Sequence, residues 1–158
     1  MTEETGRVIY TLGTSVRPPD EFLQLLQSHH VSVVADVRSF PTSKFEHFRK
    51  DRLAELLRRA HIRYVYFGRE LGGYRSGGYE AFTKTDPFKR GVDGLEQLGS
   101  HNRTAIVCAE RFPWRCHRRF IASELEARGW RVHHIIDADR AWVPSQPSTR
   151  LDSERTDR

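Results

Sequence analysis

Apolar positions along this chain follow two alternating rhythms. Residues 7–12, 31–37, 62–67, 104–108 and 131–136 are short runs rich in Val, Ile and aromatic residues, and each reads as a β-strand. The run 31–37 is almost continuously apolar, the pattern of a strand covered on both faces of a parallel sheet. Between these runs apolar residues recur at helical spacing. Pro18-Pro19-Asp20 opens a helix with Phe22, Leu25 and Leu26 on one face. Residues 49–60 form a second helix with Leu53, Leu56, Leu57 and Ala60 inward. A weaker helical pattern resumes at Glu80 and again over residues 87–98, and another helix runs from Phe120 to Gly129. The glycine-rich stretch 68–79 is expected to lack regular structure.

Strands alternating with helices predict an α/β fold: a single three-layer Rossmann-like domain over residues 7–142 with an open, mostly parallel sheet. The expected strand order is 3-2-1-4-5, with the switch point between the strand ending at Leu12 and the strand ending at Cys108. Residues 1–6 and 143–158 have no periodicity and read as a disordered N-terminus and a disordered tail.

Composition narrows the class. In 158 residues there are 26 Lys and Arg against 21 Asp and Glu, and lysine contributes only Lys44, Lys50, Lys84 and Lys89. Arginine supplies the rest, and its planar fork suits phosphate and carboxylate. Two cysteines do not make a disulfide framework. No apolar run has membrane-spanning length, and the N-terminus lacks the basic and apolar segments of a signal peptide. The expected setting is therefore the cytoplasm, with no membrane partner.

If the sheet is parallel, polar residues after four strands converge on one edge. These are Thr11, Gly13, Thr14 and Ser15; then Asp36, Arg38, Ser39, Pro41, Ser43 and Lys44; then Arg69 and Glu70; then Cys108 and Glu110. Asp36 and Glu70 are the candidate general acid or base, although an Asp36–Arg38 ion pair is an equally simple reading. The richest segment is 108–119, which holds both cysteines. Cys116 stands just before a helix, flanked by Arg115, His117 and Arg118, so dipole and cations favour its thiolate. An inert cysteine under the helix is the alternative. Cys108, closing an apolar strand, reads as a small buried residue.

Cysteine phosphatases and rhodaneses also place a nucleophilic cysteine after a strand. Phosphatase spacing from Cys108 calls for an arginine one position before Arg115, where Trp114 stands, so that match fails. A zinc site from Cys108, Cys116, His117 and one of His133 or His134 lacks the usual close ligand pairs, so no metal is assigned, and no cofactor is specified. Tyr74 and Tyr79, in the glycine-rich loop, are candidates for ligand contact, whereas Tyr64 or Tyr66 must face inward on a strand. Aromatics interleaved with arginines suit base stacking and phosphate contact.

Five segments in order, Ile9-Tyr10-Thr11-Leu12-Gly13-Thr14-Ser15, Asp36-Val37-Arg38-Ser39-Phe40-Pro41, Glu70-Leu71-Gly72-Gly73, Cys108-Ala109-Glu110 and Cys116-His117-Arg118, resemble the domain of unknown function 488 family from about residue 7 to about residue 137. The resemblance implies a compact Rossmann-like domain and carries no activity with it. Thr14 departs from the family, whose members commonly carry histidine there.

The expectation from residues and resemblance together is an enzyme-like domain that binds an anionic, nucleotide-like ligand at the C-terminal edge of the sheet, a hydrolase or transferase. Asp36, Glu70 and Cys116 are the catalytic candidates. Thr11, Gly13, Ser15, Arg38, Ser39, Tyr79, Glu110, His117 and Arg118 are the binding candidates. A nucleic-acid-binding module without catalysis, or a thiol or metal site at Cys108, Cys116 and His117, are the alternatives.

Overall fold

In a computed structural model describing residues 7–39 and 48–143, the chain forms a six-stranded sheet with helices on both faces. In chain order the elements are β1 (Val8–Gly13), α1 (Pro19–Ser28), β2 (Val33–Asp36), α2 (Lys50–Arg59), β3 (Arg63–Tyr66), α3 (Gly68–Leu71), α4 (Tyr79–Phe82), α5 (Asp86–His101), β4 (Thr104–Cys108), a 3-10 turn (Pro113–Arg115), α6 (Arg118–Ala127), β5 (Arg131–Asp137) and β6 (Arg140–Trp142). The expected tail and N-terminus, and the strand-end residues Pro41, Ser43 and Lys44, lie outside the described residues.

The sheet runs β3-β2-β4-β1-β5-β6. β1 through β5 pair in parallel, and β6 returns antiparallel on β5. The α/β class and the mostly parallel sheet match expectation. The strand order does not. β4 sits between β2 and β1, and β5 pairs with β1, so the order 3-2-1-4-5 is corrected to 3-2-4-1-5 with β6 added at the edge. Hydrophobicity does not rank β1, β2 and β4, because all three are apolar runs buried along nearly their whole length. The outer strands differ visibly: β3 is only half-buried and β6 is exposed, with Arg63 and Arg140 on the edges as charged guards against sheet extension.

The corrected order moves the switch point. From β2 the chain crosses to β3 on one side, and from β4 it crosses to β5 on the other. The connections therefore diverge between β2 and β4, not between β1 and β4. That boundary is where a ligand crevice is expected.

Strand periodicity divides the core in two. Ile9, Ala35, Val37, Ile106, Cys108 and Val132 face α5 and α6, packing on Phe88, Leu95, Ile121 and Leu125. Tyr10, Leu12, Val34, Ala105, Val107 and Ile135 face α1 and α2, packing on Phe22, Leu26, Leu53 and Leu57. Alternate side chains thus report which layer each strand residue enters. The α1 face built on Phe22, Leu25 and Leu26 is buried as predicted. In α2 only Leu53 and Leu57 are fully buried, with Leu56, and Ala60 just past the helix end, partly so.

The 68–79 stretch is not wholly irregular. It folds into α3 because Leu71 reaches the core and because Gly68 lets the backbone come close: a Cβ there would lie 2.1 Å from the Arg38 carbonyl oxygen. On the α5–α6 layer Arg128 binds Asp93, Glu96 and Glu124 at 2.7–2.9 Å, pinning the C-terminal end of α6 to α5.

Candidate functional site: a thiol pair in a crevice between β2 and β4

The two cysteines meet. Cys108, 1% exposed, ends β4, and Cys116 follows the 3-10 turn at the start of α6. Their sulfurs are 2.9 Å apart, and both are free thiols. The Arg118 backbone N–H donates to Cys116 Sγ at 3.2 Å and its Nε–H at 3.4 Å. Hydrogen bonding from the Cys108 thiol draws the Cys116 thiol down to about 4; the His117 ring and the Arg118 charge add to this, and burial opposes it. Burial above all, then the bond to Cys116, pushes the Cys108 thiol up. The pair thus favours the proton on Cys108 and negative charge on Cys116, which stands at the start of α6.

Arg118 is fully buried, and its partners explain how it is held. Nη1 donates to Thr11 Oγ1 at 2.8 Å, and Nη2 to the carbonyls of Glu110 and Arg111 at 2.7 and 3.2 Å. Thr11 Oγ1 lies 2.6 Å from His134 Nδ1. The Thr11 hydroxyl thus links the Arg118 guanidinium to the His134 ring. Burial, then the charges of Arg118 and His133, lowers His134 to about 3. Trp142 stacks on its ring.

This histidine makes stability sensitive to acid. Below its ordinary value of 6.5 the unfolded chain takes up a proton that the folded chain refuses, so folding weakens as pH falls from about 6.5 toward 3, by up to about 1.4 kcal/mol per unit. Urea unfolding of wild type and H134Q across that range is expected to show the acid loss reduced in the variant. Equal losses in both would mean that His134 already takes up its proton in the folded state.

The Asp36 side chain belongs to the opposite layer, and Arg38 joins it to the edge of the crevice. Asp36 shares its face of β2 with Val34, whereas Ala35 and Val37 face the cysteine side. Arg38 donates from Nε and Nη2 to the two Asp36 oxygens, both at 2.9 Å, and from Nη1 to the Phe48 carbonyl at 2.7 Å. Tyr64 OH donates to Asp36 Oδ2 at 2.7 Å, and burial followed by the Asp36 charge pushes that phenol far up. The carboxylate is thus fully engaged within the fold, and the ion pair foreseen as the simple reading is the one formed. Tyr66 OH donates to the Arg38 and Ser39 carbonyls, fixing the chain as it leaves β2.

Above the sulfurs lies a crevice of about 610 Å³. One wall is Arg38 and Ser39 after β2, another is Cys108, Ala109 and Glu110 after β4, and the rest comes from Gly73, Tyr74, Tyr79 and residues 114–117, 119 and 120. Ser39 Oγ accepts the Tyr74 N–H at 3.2 Å, closing the glycine-rich loop over the β2 end. The His117 Nε2 lies 2.9 Å from the Val37 carbonyl. Tyr79 is buried and donates to the Leu71 carbonyl at 2.8 Å, so it offers a ring edge rather than a free hydroxyl. Arg115 and Arg119 are exposed and form no ion pair among the described residues. Trp114 and Tyr74 are exposed by 47% and 78%.

Of the residues singled out in the sequence, Cys116, Arg38, Ser39, Glu110, His117 and Tyr79 line this crevice, and Arg118 and Thr11 brace it from below. Gly13, Ser15 and Glu70 do not line it. Gly13 is a packing glycine: a Cβ would fall 1.8 Å from the Glu110 carbonyl oxygen. Ser15 ties β1 to the β4 loop through its N–H on the Ala109 carbonyl at 2.8 Å. Glu70 is exposed on α3. Thr14 is buried behind the same seam, so the departure from histidine there leaves the crevice wall untouched. Arg119 escaped the sequence reading; its signal was its place next to Arg118, one step round the helix start toward solvent. Among the described residues no group of three or more His, Cys, Asp or Glu is arranged to hold a metal, and no helix is long and apolar enough to cross a membrane.

Residues 18–78 and 76–125 match the family model described as Domain of unknown function DUF488. No curated protein and no solved structure compared with the chain matches it.

Proposed function

Because the chain belongs to the DUF488 family, a membership that brings no activity with it, we propose a function from the site's chemistry: a thiolate-dependent transferase or hydrolase acting on a small anionic substrate. Cys116 is the nucleophile. Its sulfur attacks an electrophilic centre of the substrate, and the leaving group departs with the bonding electrons. Arg115 and Arg119 draw the anion in, and the exposed Trp114, stacked on Phe112, adds an aromatic surface for a planar, nucleotide-like ring. Arg118 and Cys108 hold the charge on sulfur before attack. The observation that carries this reading is the Cys116 sulfur, hydrogen-bonded to Cys108 and Arg118 and lining a crevice together with the exposed Arg115 and Arg119.

Alkylation tests it. The rate with iodoacetamide is expected to stay nearly flat from pH 8 down to pH 5, whereas an ordinary thiol loses about tenfold per unit below its pKa of ~8.5. C116S abolishes the flat component. Negatively charged iodoacetate is expected to gain on neutral iodoacetamide relative to a free thiol, and R115A/R119A to cut that advantage several-fold. A rate falling tenfold per unit overturns the nucleophile; a charge preference indifferent to both arginines overturns the anionic substrate.

A further inference from the structure

The nucleophilic reading uses one sulfur as attacker and the other only as a proton donor. Nucleophilic attack alone does not require that donor to be a second cysteine; a serine hydroxyl would serve. Here the partner is a cysteine whose sulfur lies 2.9 Å from Cys116 Sγ. A disulfide needs ~2.05 Å, so bond formation asks for less than ~1 Å of further approach. Cys116 is reached through the crevice, and Cys108 lies beneath, on the crevice floor. This is the layout of an attacking thiol in front and a resolving thiol behind.

We propose that Cys108 and Cys116 form a redox couple that reduces small hydroperoxides and closes to a disulfide. The proposal rests on the Cys116 thiolate of the preceding section but not on its anionic substrate. In the first step the Cys116 sulfur attacks the distal oxygen of ROOH. The O–O bond breaks, Cys116 becomes a sulfenic acid, and RO⁻ leaves and is protonated to ROH. In the second step the Cys108 sulfur attacks the Cys116 sulfur. The S–O bond breaks, and hydroxide departs with the Cys108 proton as water. The two thiols lose two electrons and the peroxide gains them.

The surroundings suit both states. When the Cys116 sulfur loses its charge, Arg118 keeps Thr11 Oγ1 and the carbonyls of Glu110 and Arg111, so the helix start retains its supports. Arg118 nonetheless loses its counter-anion, which favours the dithiol and makes the disulfide easy to reduce. With the resolving sulfur already in contact, the sulfenic acid is captured before it oxidises further.

Intact-mass measurement of the full chain after brief hydrogen peroxide treatment decides the matter. The expected product is 2 Da lighter than the dithiol, has lost both titratable thiols, and returns to starting mass with dithiothreitol. C108S is expected to stop at a sulfenic acid, 16 Da heavier and trapped by dimedone; C116S is expected to leave the peroxide unspent. Direct passage of wild type to products 32 or 48 Da heavier overturns the proposal, as does an unchanged mass. Because wild type alone gives the primary readout, poor folding of a variant does not obscure it. An unchanged mass together with flat, fast iodoacetamide alkylation removes the redox couple and leaves the nucleophile standing. Slow alkylation removes both.

Discussion

Substituting Arg118 by methionine is expected to be the most damaging single change at this site, in two separable ways. The buried guanidinium satisfies Thr11 Oγ1 and two carbonyls and lies beside the Cys116 sulfur. R118M leaves those acceptors in the protein interior without a donor and the thiolate without its neighbouring cation. Removing one partner of a buried charged cluster costs about 3–5 kcal/mol, readable as a lowered urea midpoint. The thiol itself is expected to regain its proton at higher pH, so that alkylation at pH 6 slows by about tenfold. R118K is not expected to restore either property, since one ammonium cannot reach oxygens that a planar fork meets together. Full stability and an unchanged alkylation profile in R118M would show that Arg118 neither braces the loop nor holds the charge.

The second large effect separates structure from chemistry. D36N removes the negative charge that accepts three hydrogen bonds from Arg38, one of them from its backbone N–H, and one from Tyr64, leaving a nearly buried guanidinium without its counter-charge. Unfolding free energy is again expected to drop by about 3–5 kcal/mol. The alkylation profile of the folded protein is expected to move far less than in R118M, because Asp36 enters the layer opposite the cysteines and reaches the crevice only through Arg38. A D36N protein as stable as wild type but with altered thiol chemistry would return Asp36 to the role of acid or base.

That contrast also shows how far the sequence could be read. The strands, the α1 face on Phe22, Leu25 and Leu26, and the concentration of thiols and cations in the 108–119 segment were all legible, because each is a local property of period or composition. The strand order was not. Right-handed crossover connections allow β4 on either side of β1, and three equally apolar central strands give no reason to prefer one. From that single slip followed the placement of Gly13 and Ser15 in the crevice; with the divergence between β2 and β4, the wall passes to Arg38, Ser39 and the β4 loop. Asp36 carries a different lesson. Its position at a strand end points to the crevice, whereas its alternation with Ala35 and Val37 sends its side chain to the other layer. The meeting of Cys108 and Cys116 stands in the sequence only as an alternative, because it depends on the loop between them folding back through the 3-10 turn, a tertiary event with no local period.

The seam between β1 and β4 does not stop where the strands do. Two further backbone bonds, from the Thr14 N–H to the Cys108 carbonyl and from the Ser15 N–H to the Ala109 carbonyl, both 2.8 Å, carry it past the sheet edge, and Gly13 lets the Glu110 backbone press flush against it. Cys108 is in effect riveted to the frame, while Cys116 hangs from a three-residue turn tied by two longer bonds, 3.0 and 3.3 Å. The two sulfurs are mechanically unequal: one is a stator and the other a short moving arm. A change in the distance between them is therefore expected to displace the start of α6 and the Trp114 wall more than the sheet.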